Sequence, residues 1–169
     1  MPEMLIINGS ARLNGNTQKF ISRLTEGFEH DQINLLEHYF LPYSYESTYP
    51  SEDQFELLAK EILYHKHIIF ATPVYWYSMS SRMKTLFDRL TDWVTLNKEV
   101  GKNLKGKNVK LIAVGTEAEL PDGFIVPFLR TANYMEMNFK GHQYFNSDII
   151  LSDDELAEIR KSFFSFISE

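Results

Sequence analysis

The sequence predicts an α/β fold, a doubly wound sandwich in which five parallel strands are covered by helices on both faces. Three observations predict it. Residues 4–7, 68–71 and 111–114 are short continuous apolar runs, each followed by glycine, proline or a small polar residue, as suits strands buried on both faces of a parallel sheet. Apolar residues at helical spacing fill the stretches between such runs. No repeat, linker or low-complexity segment breaks the alternation, so the 169 residues read as one domain, 1–169.

In chain order, the strand at 4–7 leads to a helix whose apolar face carries Phe20, Ile21, Leu24 and Phe28. Residues 33–36 supply a second strand. Phe55, Leu58, Ala59, Ile62 and Leu63 follow the i, i+3, i+4, i+7, i+8 spacing of an amphipathic helix, and Ser51 with Gln54 predicts a capping box at its start. Beyond the strand at 68–71, Met83, Leu86, Phe87, Leu90, Trp93 and Val94 form a third helical stripe. On that helix, Asp88 and Arg89 read as a solvated face with i, i+4 pairing from Lys84. The strand at 111–114 is followed by a helix over 124–137, which tolerates Pro127 only in its first turn. Residues 139–145 partly alternate apolar with polar, as an edge strand does. Leu156, Ile159, Phe163 and Phe166 complete the pattern behind a second capping box, Ser152 with Glu155.

Composition narrows the function. The formal net charge is -6 and no Lys/Arg block makes a basic stripe, which argues against nucleic acid as a partner. With no cysteine, the chain has no disulfide, thiolate nucleophile or Cys-ligated cluster of its own. The amino-terminal apolar run ends at Asn8, too short for a signal peptide or a membrane span, and the expectation is a soluble cytoplasmic protein. Of the five histidines, only His65 and His67 are close in sequence, and their i, i+2 spacing across a helix end and a strand is not that of a metal site.

In a doubly wound sheet the ligand lies beyond the carboxyl ends of the strands, which directs attention to the loops at 9–17, 73–80 and 115–123. The first reads GSARLNGNT and enters a helix near Asn16 or Thr17, offering the hydroxyls of Ser10 and Thr17, the guanidinium of Arg12 and free backbone N–H groups. Such a helix N-terminus suits a phosphate. It lacks the GK[ST] ending of an ATP-binding loop, and Gly9 and Gly15 do not have dinucleotide-fingerprint spacing, so a phosphomonoester fits better than a triphosphate or pyrophosphate. The second loop, TPVYWYSMS, places Tyr75, Trp76 and Tyr77 after a buried strand, where flat side chains suit a flat ring ligand or, equally, a packing contact.

Over these two segments, GSARLNGNTQKF and IIFATPVYWYSMSSRMKTLFDRL, the chain resembles the flavodoxin-like NAD(P)H-dependent FMN reductases and their iron-sulfur flavoprotein relatives. The resemblance implies a flavodoxin-like sheet of order 2-1-3-4-5. It also implies that Ser10, Arg12, Asn16 and Thr17 hold the FMN phosphate, and that Pro73, Val74, Tyr75, Trp76 and Ser78 lie along the ring. Gly115 and Thr116, by a looser match, approach the ring or ribityl chain. The iron-sulfur relatives carry a cysteine cluster where this chain has YFLPYSYESTYPSED, so that cluster is absent; its Tyr39, Phe40, Tyr43, Tyr45 and Tyr49 are free to cover the flavin, meet another subunit or pack on their own domain.

The activity so implied is transfer of hydride from NAD(P)H to bound FMN and then to a quinone, nitro or azo compound or free flavin, with no dedicated catalytic side chain and no metal. The alternative is a flavodoxin-like one-electron carrier without a nicotinamide site. Arg12 and the modest acidity of the chain favour the reductase. Aromatic content of 14% with several aromatics in loops leads to the further expectation of a homodimer or homotetramer.

Overall fold

The computed structural model describes residues 2–168. Five strands, β1 (Met4–Asn8), β2 (Asp31–Asn34), β3 (His67–Pro73), β4 (Asn108–Gly115) and β5 (Asn138–Asn146), pair in parallel in the order β2-β1-β3-β4-β5. Helices α1 (Asn16–Leu24), α2 (Phe55–Tyr64), α3 (Ser81–Thr95), α4 (Lys98–Lys102) and α5 (Val126–Tyr134) connect them, and α6 (Asp153–Phe164) follows β5. The predicted sheet, its strand order and its alternation with helices are those observed.

The sheet divides the core in two because side chains alternate across a strand. Leu5, Ile7, Ile68, Phe70, Leu111 and Ala113 face α2, α3 and α5, whereas Met4, Ile6, Ile69, Ala71, Ile112 and Val114 face α1 and α6. All seven residues of β3 are buried, which is why the central strands read as unbroken apolar runs. β5 at the edge is only partly covered.

Local departures have local causes. β2 begins two residues before the predicted strand, and Leu35 and Leu36 turn into a 3-10 segment, Leu35–Glu37. The Ser152–Glu155 capping box forms in both directions. The Ser51–Gln54 box does not: the Ser51 hydroxyl bonds Glu52, and Asp53 takes the Phe55 N–H at 3.0 Å in its place. Pro127 lies in the first turn of α5 as required. The short α4 lacks an apolar stripe and was not expected; there Gly101 packs so closely on the Trp93 carbonyl that a Cβ would lie 2.4 Å from it.

Arg89 is the larger correction. Lys84 does pair with Asp88 along the exposed face, but Arg89 is only 2% exposed. Its Nε meets Asp92 at 2.7 Å, and one terminal nitrogen meets both Asp53 and the Leu41 carbonyl at 2.9 Å. Its guanidinium carbon lies 3.5 Å from the centroid of Tyr49 and 4.3 Å from that of Phe55, in cation–π range. Burial alone would raise the Asp53 pKa, but hydrogen bonds from Arg89 and from the N–H groups of Leu41 and Phe55 outweigh it and hold the carboxyl below its usual value. The aromatic segment between β2 and α2 is therefore fastened to its own domain through Tyr49, while Tyr45 stays 94% exposed.

Two measurements follow from these buried groups. Arg89→Ala leaves two buried carboxylates uncompensated and is expected to cost about 3–5 kcal/mol in urea unfolding; a loss below about 1 kcal/mol would show that water enters and replaces the guanidinium. His67 has no hydrogen bond at Nε2 among the described residues. Burial lowers its pKa, Lys66 adds to the effect and Glu3 opposes it. The unfolded chain therefore binds the proton more readily. The contribution of His67 to stability is complete above its unfolded pKa of about 6.5 and is lost as pH falls below that value. His67→Gln should show a flatter loss of urea midpoint between about pH 8 and about pH 5.5 than the unsubstituted protein.

Candidate flavin site

The loops after β1, β3 and β4 meet at the carboxyl edge of the sheet and enclose a cleft of about 430 Å³. Its first wall is the turn from β1 into α1. Asn8, buried at the end of β1, accepts the Ser10 N–H at 3.0 Å and donates to Gln18 at 3.0 Å and Asn34 at 3.3 Å, so one side chain joins β1, the turn, α1 and β2. Ser10 Oγ in turn accepts the Arg12 N–H at 3.2 Å.

Helix α1 begins after Gly15 with no side-chain cap, leaving its first amides open, a ready site for an anion. The side chains of Arg12, Asn16, Thr17 and Lys19 line the same end of the cleft and make no hydrogen bond or ion pair among the described residues. A bound phosphate would answer these donors and the uncapped amides together.

The second wall follows β3. Ser80 Oγ donates to the Gly9 carbonyl at 2.6 Å and accepts the Met83 N–H at 3.2 Å, capping α3, while the Ser80 N–H donates to Thr72 at 3.0 Å. A Cβ on Gly9 would lie 3.0 Å from both Met83 and Ser80 Oγ, so only glycine fits without displacing them. Tyr75 and Ser78 exchange backbone hydrogen bonds, making a two-residue hairpin in which Trp76 and Tyr77 take positive φ of 48° and 63°. Glycine or asparagine usually fills such positions, because a Cβ there costs about 1–2 kcal/mol per residue. The hairpin thus stores strain beside the cleft.

The third wall comes from β4 and β5. Gly115 sits under Val74 and Tyr144, where a Cβ would come 2.8 Å from the Tyr144 hydroxyl. Its carbonyl accepts the Ser147 N–H at 2.7 Å and draws the loop after β5 into the site.

Of the residues singled out from sequence, Ser10, Arg12, Asn16, Thr17, Pro73, Val74, Tyr75, Gly115 and Thr116 line this one cleft. Trp76, 94% exposed, and Ser78 sit in the hairpin beyond its lining. Asn14, Gly15, Lys19, Val114 and Ser147 also line it and were not singled out. Gly15 and Asn14 belong to the loop already recognised. Lys19 is hidden among helical polar residues, and Ser147 was within reach of the rule that every parallel strand delivers its following loop to the same edge.

A family model described as NADPH-dependent FMN reductase matches residues 2–145. The chain is 28% identical over 149 residues, 83% of its length and 82% of the relative's, to YwqN of Bacillus subtilis (strain 168), whose name describes an NAD(P)H-dependent FMN-containing oxidoreductase. Among solved structures it is similar to a Trp repressor binding protein from Bacillus subtilis, with a TM-score of 0.74 and 25% identity over 96% of this chain and 97% of the other. It shares its fold with an NADPH-quinone reductase from P. pentosaceus, with a TM-score of 0.64 and 18% identity over 95% and 96% of the two chains.

The strained hairpin gives a direct test. Trp76→Asn and Tyr77→Gly should each stabilise the flavin-free protein by about 1 kcal/mol in urea. A loss of stability in either variant would mean that the aromatic side chain packs more favourably than its backbone is strained.

Proposed function

The chain belongs to the NADPH-dependent FMN reductase family and is an FMN- and NAD(P)H-dependent oxidoreductase, and on that premise we propose how its cleft serves the reaction. The single domain, residues 1–169, holds FMN with the phosphate at the start of α1 and the ring along the β3 hairpin. Electrons pass to a small acceptor, whether a quinone, a nitro or azo compound or free flavin. The observation that carries this reading is the uncapped N-terminus of α1 facing a cleft with Arg12, Asn16 and Thr17 unpaired.

FMN supplies hydride acceptance and donation when bound, and the protein supplies binding, orientation and exclusion of water. Arg12 and the α1 amides neutralise the phosphate, with the Thr17 hydroxyl and the Asn16 amide as further donors. Ser10 uses its Oγ to hold the Arg12 backbone in place. Pro73 and Val74 are buried or half-buried and form a fixed apolar wall, and Tyr75, Trp76 and Ser78 border the ring from the hairpin. Gly115 and Thr116 border the ring on the β4 side, with Tyr144 and Val74 packed where a Gly115 side chain would lie. No side chain is required as acid, base or nucleophile.

No helix among the described residues is long and apolar enough to cross a membrane. The proposal places the enzyme in the cytoplasm as a homodimer or homotetramer, in which exposed Tyr45, Trp76 and Tyr77 supply contact area that a lone chain leaves in water.

Calorimetric titration of the flavin-free protein should show FMN bound at least about tenfold more tightly than riboflavin, the ratio one charge-assisted contact confers. Arg12→Ala and Thr17→Ala should narrow that preference. Equal affinity for the two flavins would remove the phosphate from α1. Mixed anaerobically with NADPH or NADH, the FMN-loaded protein should lose its flavin absorbance; failure with both, where dithionite succeeds, would make it an electron carrier.

A further inference from the structure

The third loop of the cleft has little of its own to hold it. Residues 116–120 form no regular structure, and 116–119 are exposed. Among the described residues, the hydrogen bonds that hold this stretch all come from two side chains of β5. The Tyr144 hydroxyl donates to the Glu117 carbonyl at 2.8 Å, and the Asn146 amide donates to the same oxygen at 3.0 Å and to the Thr116 carbonyl at 3.4 Å. One residue earlier, the Gly115 carbonyl takes the Ser147 N–H at 2.7 Å.

Three successive carbonyls are thus turned to β5. A trans peptide sets its N–H opposite its C=O, so the N–H groups of Thr116, Glu117 and Ala118 point away from β5. None of the three has an acceptor among the described residues. Thr116 lines the cleft, and because β4 lies between β3 and β5, its N–H faces the side of the Pro73–Val74 wall. Glycine at 115 is what admits the phenol, since a Cβ there would lie 2.8 Å from the Tyr144 hydroxyl. Burial and the charge of Glu117 raise the Tyr144 pKa, the hydrogen bond to Glu117 opposes them and Asp148 adds to the rise, so the hydroxyl keeps its proton and remains a donor.

We propose that Tyr144, together with Asn146, is a positioning residue of the flavin cleft: by taking the carbonyls of Thr116 and Glu117 it turns the open amides of that loop to meet the bound ring. The inference rests on the FMN reading and deepens it. Neither side chain lines the cleft, so both act through the loop. Their effect falls on the ring, at the other side of the ligand from Arg12. Loss of the Tyr144 hydroxyl therefore weakens FMN and riboflavin alike, whereas loss of a phosphate donor weakens FMN alone.

The test is calorimetric titration of the flavin-free protein and of Tyr144→Phe with FMN and riboflavin, accompanied by urea midpoints and by amide hydrogen exchange over residues 115–120. Phenylalanine keeps the ring against Gly115 and Val74 and removes only the hydroxyl. Tyr144→Phe should bind both flavins about fivefold more weakly, the effect of one lost hydrogen bond, with the ratio of FMN to riboflavin affinity unchanged. Adding Asn146→Ala should deepen the loss. In the unsubstituted protein FMN should slow exchange of the Thr116 and Glu117 amides, and in Tyr144→Phe it should slow them less. Affinities for both flavins within about twofold of the unsubstituted protein in the double variant, whatever the change in urea midpoint, would overturn the proposal and leave these bonds to the edge strand alone. Weaker FMN with riboflavin unaltered would overturn it too, because the effect would then lie at the phosphate. Flavin binding that leaves the 116–117 amides unprotected in the unsubstituted protein would remove the proposal and leave the FMN reading standing, whereas failure of both flavins to bind that protein would remove the two together.

Discussion

One buried hydroxyl sets the distance between two of the three loops that make the cleft, those after β1 and β3. Ser80 Oγ serves both the Gly9 carbonyl and the Met83 N–H, so the turn after β1 and the start of α3 are fixed to the same atom. The contact favours glycine at position 9, because a Cβ there would lie 3.0 Å from both Met83 and the hydroxyl. Thr72 completes the arrangement by taking the Ser80 N–H from within β3. The open donors of the loop after β1 and the Pro73–Val74 wall after β3 are thus held at a fixed separation.

The parallel sheet explains why such a small set of bonds is enough. β1, β3 and β4 end side by side in register, and the N–H of Gly9 and of Val74 continue the ladder to Ala71 and Val114 one step beyond the strands. The backbone delivers the loops already aligned, and Asn8, Ser80 and Gly115 then adjust them. Asn8 and Ser80 are tolerated this deeply buried because each is hydrogen-bonded, and Gly115 leaves room for Tyr144.

The fold was legible because the central strands, buried on both faces, read as apolar runs, and the longer helices between them show an apolar stripe. The donors of loop 9–17 were legible for a similar reason: Ser10, Arg12, Asn16 and Thr17 fall within one eight-residue stretch. What remained hidden depends on distant partners. Arg89 looked like one more polar residue on α3, and nothing within a few positions shows that Asp53 and Leu41, 36 and 48 residues away, bury it. Gln54 did not close a box with Ser51 because it is engaged with Tyr39, its side chain taking the Tyr39 N–H and its own N–H going to the Tyr39 carbonyl. Lys19 and Ser147 reach the cleft only once α1 and the loop after β5 are side by side. The place of Trp76 outside the cleft lining follows from hairpin geometry, which aromatic residues do not announce.

The fastening of the aromatic segment by Arg89 has a consequence for how the molecule opens. Between the 3-10 turn at Leu35–Glu37 and the start of α2 the chain has no regular structure of its own, and its order comes from the Tyr39–Gln54 pairing at its base and from a guanidinium carried by α3. A segment held in this way does not fray residue by residue. Release of Arg89 removes one contact each from Leu41, Tyr49 and Asp53 together, which couples the segment to α3 in local unfolding. A stretch that looks like a surface loop is in this sense part of the framework, and its amide protection should be that of a helix it never joins.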